Sequence, residues 1–247
     1  MIKLIIPISL GFMCSSFAII PPATNDLQNE KVVVADSPSV NKNSINSFSE
    51  TAAILYGSLQ LKEYGLSPEA FSYAWIGFMN LAEKKLIPSN KYLTICDFSQ
   101  SSLKKRLYII DIENQKLVFH TYVAHGRNSG GEFATKFSNI PESLQSSLGF
   151  YITANTYNGE HGLSLRMNGV DPGFNDNALN RNIVIHGADY VNERRANSGT
   201  FMGRSFGCPA LPLKESSRII KAIKNGSCLF IYHPGKNYLL KSKILNG

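Results

Sequence analysis

The sequence has few cysteines and none of the short cysteine or histidine motifs that often hold metal ions. Four cysteines and five histidines occur in 247 residues, and none of them forms a C-x-x-C, H-x-H or H-E-x-x-H pattern. Such spacings are typical of zinc sites whose ligands lie close together in sequence. A zinc site built from distant histidines and a cysteine stays open as an alternative. We expect no metal and no cofactor.

Long apolar runs are also scarce, and the one that stands out lies at the N-terminus. Met1-Ile-Lys3 and the run from Leu4 to Ile20 have the positive start and short hydrophobic core of a secretory signal, with small residues in Ser16-Phe-Ala18. We predict a signal peptide over residues 1–18 and export to the periplasm or cell envelope. The alternatives are a lipoprotein acylated on Cys14 and an uncleaved anchor, although a bilayer span needs roughly 20 apolar residues. After cleavage we expect no stable membrane span.

The sequence lacks a basic stripe or tail. Its formal net charge is +7, but only 17% of its residues are charged and the lysines and arginines are scattered. Proteins that bind nucleic acids concentrate such charges on one face or segment. We therefore expect no nucleic-acid partner, and we interpret the excess charge as a general attraction to an anionic polymer or surface.

What the sequence does contain divides into four parts, of which the signal peptide is the first. Residues 19–48 are rich in Asn, Ser, Pro, Asp and Lys, a composition that predicts a disordered tether. Residues 49–88 predict a small helical region, in which Ser67-Pro-Glu69 caps a second helix that runs to about Lys85. Residues 89–247 predict a domain built mainly of strands. With 43% hydrophobic residues, the chain can bury one sizeable core.

Short apolar runs rich in β-branched and aromatic residues mark the strands of residues 89–247. In the same part, Ile219, Ile220 and Ile223 lie at helical spacing, and Gly226 follows as a stop, which predicts one helix over residues 213–225. We expect a mainly β fold of the α+β class, in which that one helix follows the loop that contains Cys208. The predicted strands are Tyr92–Phe98, Arg106–Glu113, Leu117–Ala124, Phe150–Asn155, Ile183–His186 and Cys228–Tyr232.

One cysteine has neighbours that a core position does not need. Cys208 stands between Gly207 and Pro209, whereas Cys96 and Cys228 lie in strand-like apolar runs. The three cysteines that follow the predicted signal peptide are an odd number, so one thiol must stay free or pair outside the chain. A disulfide between Cys96 and Cys228 stays open. We predict that Cys208 is the free and reactive thiol.

A histidine ends the predicted strand that precedes this cysteine. The stretch Asn182-Ile-Val-Ile-His186 is apolar up to the histidine, and a turn glycine follows it. A strand end can deliver its side chain to a site, where a cysteine and a histidine form a nucleophile and its base. His125 and His161, each also followed by glycine, are the alternative bases.

The order of these motifs resembles the L,D-transpeptidase (YkuD-like) catalytic domain, in which a His-Gly pair is followed, after a loop, by Ser-His-Gly-Cys. The stretch Gly207-Cys-Pro-Ala210 is most similar to the murein L,D-transpeptidase branch that carries Gly-Cys-Pro-Ala. The resemblance covers roughly Thr51 to Tyr232. It includes four further stretches in the same order: Val123-Ala-His-Gly-Arg-Asn-Ser-Gly130, Phe137-Ser-Asn139, Ser146-Ser-Leu-Gly-Phe-Tyr151 and His161-Gly-Leu-Ser-Leu-Arg166.

The resemblance implies an L,D-transpeptidase-like β-sandwich and the chemistry of a cysteine acyltransferase. It makes Cys208 the nucleophile and His186 the base, with backbone amides around Gly207 and Cys208 as oxyanion donors and a carbonyl near Gly187 orienting the imidazole. The implied partner is a peptidoglycan tetrapeptide stem, attacked at the carbonyl of its L-centred third residue with loss of the terminal D-alanine. We assign substrate binding to Arg204, which could equally be a solvated loop residue, and to Ser205, His125 and His161.

One position departs from the family pattern. Phe206 occupies the place of the histidine that precedes Gly-Cys, so the contribution of that imidazole must come from elsewhere or be absent. Two other functions stay open. The same cysteine and histidine would serve an L,D-carboxypeptidase or endopeptidase in which water accepts the acyl group, and a non-catalytic peptidoglycan-binding module would need neither.

Overall fold

The computed structural model describes residues 42–246, which form two helices, then a run of seven strands, and then a part in which helices and strands are mixed. The predicted signal peptide and most of the predicted tether lie outside these residues. No helix of the described part is long and apolar enough to cross a membrane. The helices are α1 Lys42–Ser58, α2 Pro68–Glu83, α3 Glu193–Asn197, α4 Leu213–Ile223, α5 Lys236–Lys241 and α6 Lys243–Asn246. The strands are β1 Tyr92–Asp97, β2 Leu107–Asp111, β3 Lys116–Thr121, β4 His125–Gly126, β5 Gly149–Gly159, β6 Gly162–Gly169, β7 Val184–Ala188, β8 Gly203–Ser205, β9 Ala210–Pro212 and β10 Cys228–Tyr232.

Eight of the strands form one mixed sheet in the order β3-β2-β1-β10-β5-β6-β7-β9, and β4 pairs with β8 in a second, two-stranded sheet. Within the large sheet, β1 and β10 are parallel, as are β7 and β9, and the other neighbours are antiparallel. The predicted fold class, mainly β with a helical N-terminal region, is confirmed. The C-terminal helix is confirmed as α4, and two shorter helices, α5 and α6, follow it.

The N-terminal helices share the hydrophobic core of the sheet. Helix α2 begins as the sequence predicts, because the Ser67 hydroxyl accepts a hydrogen bond from the Ala70 N–H and Pro68 occupies the first turn. Gly77 lets this helix approach the sheet closely, since a Cβ at that position would overlap the Phe150 ring. One continuous cluster of buried side chains therefore runs from the helices to the strands.

Helix α1 begins at Lys42, seven residues before the predicted start at Ser49. Phe48, Ala52 and Leu55 are all buried, and they follow one another at helical spacing on the face that packs into the core. Phe48 therefore belongs to a packed helix and not to the tether. Its burial depends on the helix that it faces, which the local composition of polar residues does not reveal.

Strand β6 is the main element that the sequence analysis missed. It forms a long antiparallel hairpin with β5, and it carries the strand that follows, β7, on its other side. Only Leu163, Leu165 and Met167 alternate in it, between a glycine at each end, so the local pattern is weak. The strand is held by pairing with β5 on one side and β7 on the other. It therefore links β7 to the rest of the sheet.

Candidate active site

Two parallel strands bring the predicted nucleophile and base to the same edge of the large sheet. In the register of β7 and β9, His186 pairs with Ala210, and Cys208 precedes Ala210 by two residues. The Val184 N–H, two residues before His186, donates a hydrogen bond of 3.4 Å to the Cys208 Sγ. The thiol is thus held beside Val184, at the start of β7. Val184 and His186 are two residues apart, which is roughly 6.6 Å along a strand.

The turn that carries the thiol is locked by glycine and serine. Gly207 has a φ of +121°, and a Cβ there would lie 2.7 Å from the Gln145 carbonyl oxygen. The Ser205 hydroxyl donates to the Cys208 carbonyl at 2.6 Å and accepts from the Gly207 N–H at 3.2 Å. Ser205 is therefore directed into the turn, which favours a structural role over the predicted substrate contact. The Gly207 amide is also engaged, so the Cys208 amide is the better candidate for an oxyanion donor.

Burial and nearby donors act on the Cys208 thiol in opposite directions. Burial raises its pKa, while the Val184 N–H and the Arg181 guanidinium partly offset that rise. The thiol itself donates to the Asn182 carbonyl at 3.7 Å. Among residues 47–246, no hydrogen bond joins this sulfur to the His186 imidazole. The free site accordingly holds a neutral thiol.

Arg181 is the neighbour of the thiol that the sequence analysis missed. Its Nη1 donates to the Ser138 carbonyl at 2.7 Å and to the Ser147 hydroxyl at 3.1 Å, and its Nη2 donates to the Ser143 hydroxyl at 3.2 Å. Burial lowers its pKa, and the charge interaction with Cys208 raises it. A fixed guanidinium at this place stabilises a thiolate. No local motif marks it, because its partners are distant in sequence.

His186 is buried and has its ring orientation set by the next residue. Its Nδ1 lies 3.0 Å from the Gly187 carbonyl oxygen. A carbonyl only accepts, so Nδ1 carries the proton and Nε2 is free to accept one. Burial lowers the pKa of His186, the Gly187 carbonyl opposes that shift, and the nearby His161 adds to it. The imidazole is therefore neutral at neutral pH, as a general base requires.

Gly187 has a second role in packing. A Cβ on Gly187 would lie 2.5 Å from the Ser216 Oγ and 3.0 Å from the Leu213 Cδ1. Both residues belong to the first turn of α4, so the glycine lets this helix sit directly against β7. The helix in turn supports the carbonyl that orients His186.

His161 lies next to the predicted base. It is exposed at the turn between β5 and β6, and its ring stacks on the His186 ring with a centroid distance of 4.4 Å and an interplanar angle of 23°. The structure thus brings His161 to the site through contact with His186.

Residues 62–232 match the family model described as the L,D-transpeptidase catalytic domain. The chain belongs to this family. L,D-transpeptidases act on the peptidoglycan of the cell wall, and the function of the family is therefore extracytoplasmic.

Several solved structures are similar to the chain at low sequence identity. An L,D-transpeptidase from Mycobacterium smegmatis is 10% identical over 58% of this chain and 59% of its own, with a TM-score of 0.36. L,D-transpeptidase 3 from Mycobacterium tuberculosis is 10% identical over 58% and 61%, with a TM-score of 0.38. The helical cell shape determining protein Pgp2 from Campylobacter jejuni is 15% identical over 65% and 54%, with a TM-score of 0.39. The chain thus spans between about half and three fifths of the length of these proteins, and no curated protein sequence matches it.

In this L,D-transpeptidase-family chain, His125 is not part of the thiol site. It has no exposed surface, and its Nδ1 accepts a 2.7 Å hydrogen bond from the Arg106 Nη2. Its Nε2 lies 3.3 Å from the Gly130 carbonyl. Burial, followed by the charge of Arg106, lowers the pKa of His125 to about 4. These contacts favour a structural role and leave no surface for the predicted substrate contact.

Arg204 lies on β8, four residues before Cys208. Its side chain is exposed, and its guanidinium lies over the Tyr190 ring at 5.5 Å from the centroid. Burial raises the pKa of Tyr190 to about 12, and the charge interaction with Cys208 adds to the rise. Tyr190 is thus a second neighbour of the thiol that the sequence analysis missed.

Phe206, which replaces the family histidine, is 66% exposed. The Arg127 guanidinium lies 5.9 Å from the centroid of its ring. The side chain points to the surface and offers no proton-transfer group. Phe206 therefore cannot supply the imidazole that the family pattern has at this position.

The other two described cysteines are buried and free. Cys96 pairs with Ile231 and Cys228 pairs with Leu93 across the parallel strands β1 and β10, so the two thiols are out of register with one another. They form no disulfide. In the described part of the chain, no group of three or more His, Cys, Asp or Glu side chains could hold a metal ion.

Proposed function

We propose that the chain is a murein L,D-transpeptidase that acts on peptidoglycan tetrapeptide stems through an acyl-enzyme on Cys208, with His186 as the base. One observation carries the proposal. The thiol is fixed beside the strand that presents His186, and the hydrogen bond to Gly187 leaves the Nε2 of that imidazole free to take a proton.

The first half-reaction makes a thioester. His186 Nε2 accepts the thiol proton as Cys208 Sγ attacks the carbonyl carbon of the L-centred third residue. The tetrahedral oxyanion then collapses, the C–N bond breaks, and His186 returns its proton to the amine of the departing D-alanine. In the second half-reaction an acceptor amine attacks the thioester and gives a proton to His186 Nε2. The new amide C–N bond forms as the C–S bond breaks, and the departing sulfur takes that proton from His186.

A neutral Cys208 thiol and a neutral His186 imidazole in the free protein fit this order of steps. Burial raises the pKa of Cys208 and lowers that of His186, so the proton stays on sulfur until a substrate is bound. Arg181 supports the thiolate that forms during attack and again when the thioester breaks. We assign the oxyanion to the Cys208 amide, since the Gly207 amide is already bonded to Ser205.

Intact-mass measurement after incubation with a tetrapeptide donor tests the proposal. We expect the wild type to gain the mass of the donor without its terminal D-alanine, and Cys208→Ser and His186→Ala to lose this adduct. His120→Ala is the matched control, because His120 lies on β3 at the opposite edge of the sheet. Its adduct should equal that of the wild type.

A carbapenem provides a second, independent test, because the family resemblance implies that such a compound can acylate the same thiol. The Cys208→Ser variant should lose most of this adduct, because a serine hydroxyl is a much weaker nucleophile beside the same imidazole. An equal adduct on the serine variant, or normal turnover by His186→Ala, would rule out the assigned roles. Release of the free tripeptide stem without any cross-linked product would instead identify water as the acceptor and the chain as a carboxypeptidase.

A further inference from the structure

A polar surface cavity of about 490 Å³ adjoins the thiol site, and three arginines line it. Arg194 and Arg195 come from α3, and Arg204 comes from β8. The hydroxyls of Ser198 and Thr200 complete this wall. The Ser198 hydroxyl donates to the Arg195 carbonyl and accepts from the Thr200 hydroxyl, so the guanidinium groups are the donors that a ligand could use. Guanidinium groups are charged donors, so the cavity favours an anionic ligand that accepts several hydrogen bonds.

The positive charge of this cavity is not neutralised by the protein. Asp189 is the one carboxylate among its lining residues, and no ion pair joins it to the three arginines in the described part of the chain. The Arg195 Nε is buried and has no hydrogen-bond partner in the described part of the chain. Its Nη2 donates one long hydrogen bond, of 3.5 Å, to the Phe201 carbonyl. A buried donor of this kind costs free energy until an acceptor reaches it.

The cavity is built from the same two segments that carry the base and the nucleophile. Asp189 and Tyr190 directly follow β7, the strand of His186, and Arg204 precedes Cys208 by four residues. The contact of the Arg204 guanidinium with the Tyr190 ring joins the two segments. A ligand held by the arginines would therefore extend toward the thiol.

We propose that this cavity binds the C-terminal carboxylate of the acyl-donor peptide, which belongs to the residue that leaves when Cys208 is acylated. The inference rests on the proposed function. In a tetrapeptide donor this carboxylate follows the scissile amide by a single residue. A fifth residue would displace it by roughly 3.5 Å. The arginines thus select donors by the position of the free carboxylate, which makes them specificity-determining residues.

The test compares three donors, a tetrapeptide with a free carboxylate, its C-terminal amide and the corresponding pentapeptide. The readout is the rate of the intact-mass adduct on Cys208. We expect the wild type to prefer the free acid over the amide by about tenfold or more, which is the usual effect of a charge-assisted hydrogen bond. In the Arg195→Gln/Arg204→Gln double variant, the rate with the acid should fall to the rate with the amide.

Arg218→Gln is the matched control, because the Arg218 guanidinium also lies over an aromatic ring, that of Phe119, at 5.0 Å and away from the cavity. It should keep the wild-type preference. Labelling by iodoacetamide, which is neutral, should be equal in all three proteins and shows that the thiol is intact. Equal rates with acid and amide in the wild type, or a preference that survives in the double variant, would overturn this inference and leave the proposed function standing. If neither tetrapeptide acylates Cys208, the proposed function fails as well.

Discussion

Replacement of Gly207 by alanine should disturb both the stability of the protein and its thiol site. The residue has a φ of +121°, and the new Cβ would lie 2.7 Å from the Gln145 carbonyl oxygen and 3.0 Å from the Ile183 Cδ1. The backbone conformation alone costs about 1–2 kcal/mol for a residue with a Cβ. Overpacking against a backbone oxygen adds about 1–3 kcal/mol. We expect the free energy of unfolding to fall by the sum of the two, about 2–5 kcal/mol.

Gly173→Ala separates these two contributions. Gly173 also has a positive φ, +80°, but a Cβ there would meet nothing within 4 Å. Urea unfolding of the two variants should therefore show a loss of about 1–2 kcal/mol for Gly173→Ala and a clearly larger loss for Gly207→Ala. For a unit of this size, each kcal/mol corresponds to about 2–4 °C in Tm.

The same substitution should slow acylation, because the Gln145 carbonyl that must move also accepts a hydrogen bond from the Arg181 Nη2. Displacement of reacting groups by about 1 Å typically costs on the order of 100-fold in rate. Acylation by the tetrapeptide donor should fall to that extent in Gly207→Ala and stay near the wild-type rate in Gly173→Ala. Equal unfolding free energies for the two variants would refute the packing described for Gly207.

Two further predictions follow from the buried titratable groups. Iodoacetamide should label Cys208 before Cys96 and Cys228, since both of those side chains are fully buried and burial raises the pKa of Cys96 to about 12; peptide mapping that found either core cysteine labelled first would contradict this. His125, whose pKa is lowered to about 4, stays neutral in the folded protein while its unfolded counterpart binds a proton below about pH 6.5. Stability should therefore fall by about 3 kcal/mol as the pH drops from 6.5 to 4, and His125→Gln should flatten that dependence in urea unfolding, whereas an unchanged slope would remove His125 as its cause.

The chemistry-bearing residues could be found in the sequence because their signals are local. Glycine and proline around Cys208 mark a constrained turn, and the apolar run that ends at His186 marks a strand, so both were found without the fold. Arg181 and Tyr190 could not be found in this way. Each acts on the thiol across the tertiary structure, and nothing in their immediate neighbours distinguishes them from ordinary surface residues.

The sequence by itself determined the fold class and the family, and it predicted which thiol is reactive, since these depend on short-range pattern, on turn residues and on motifs within a few positions. The sequence favoured His186 but left His125 and His161 as alternative bases, and the tertiary structure shows which of the three lies on the strand beside that thiol. Three His-Gly pairs look alike in sequence. The parallel pairing of β7 with β9 places His186 on the strand beside Cys208, and the His161 ring stacks on the His186 ring. His125 is instead buried and hydrogen-bonded to Arg106. The physical reason is that strand register and desolvation depend on partners distant in the chain, and a local pattern of residues contains no information about them.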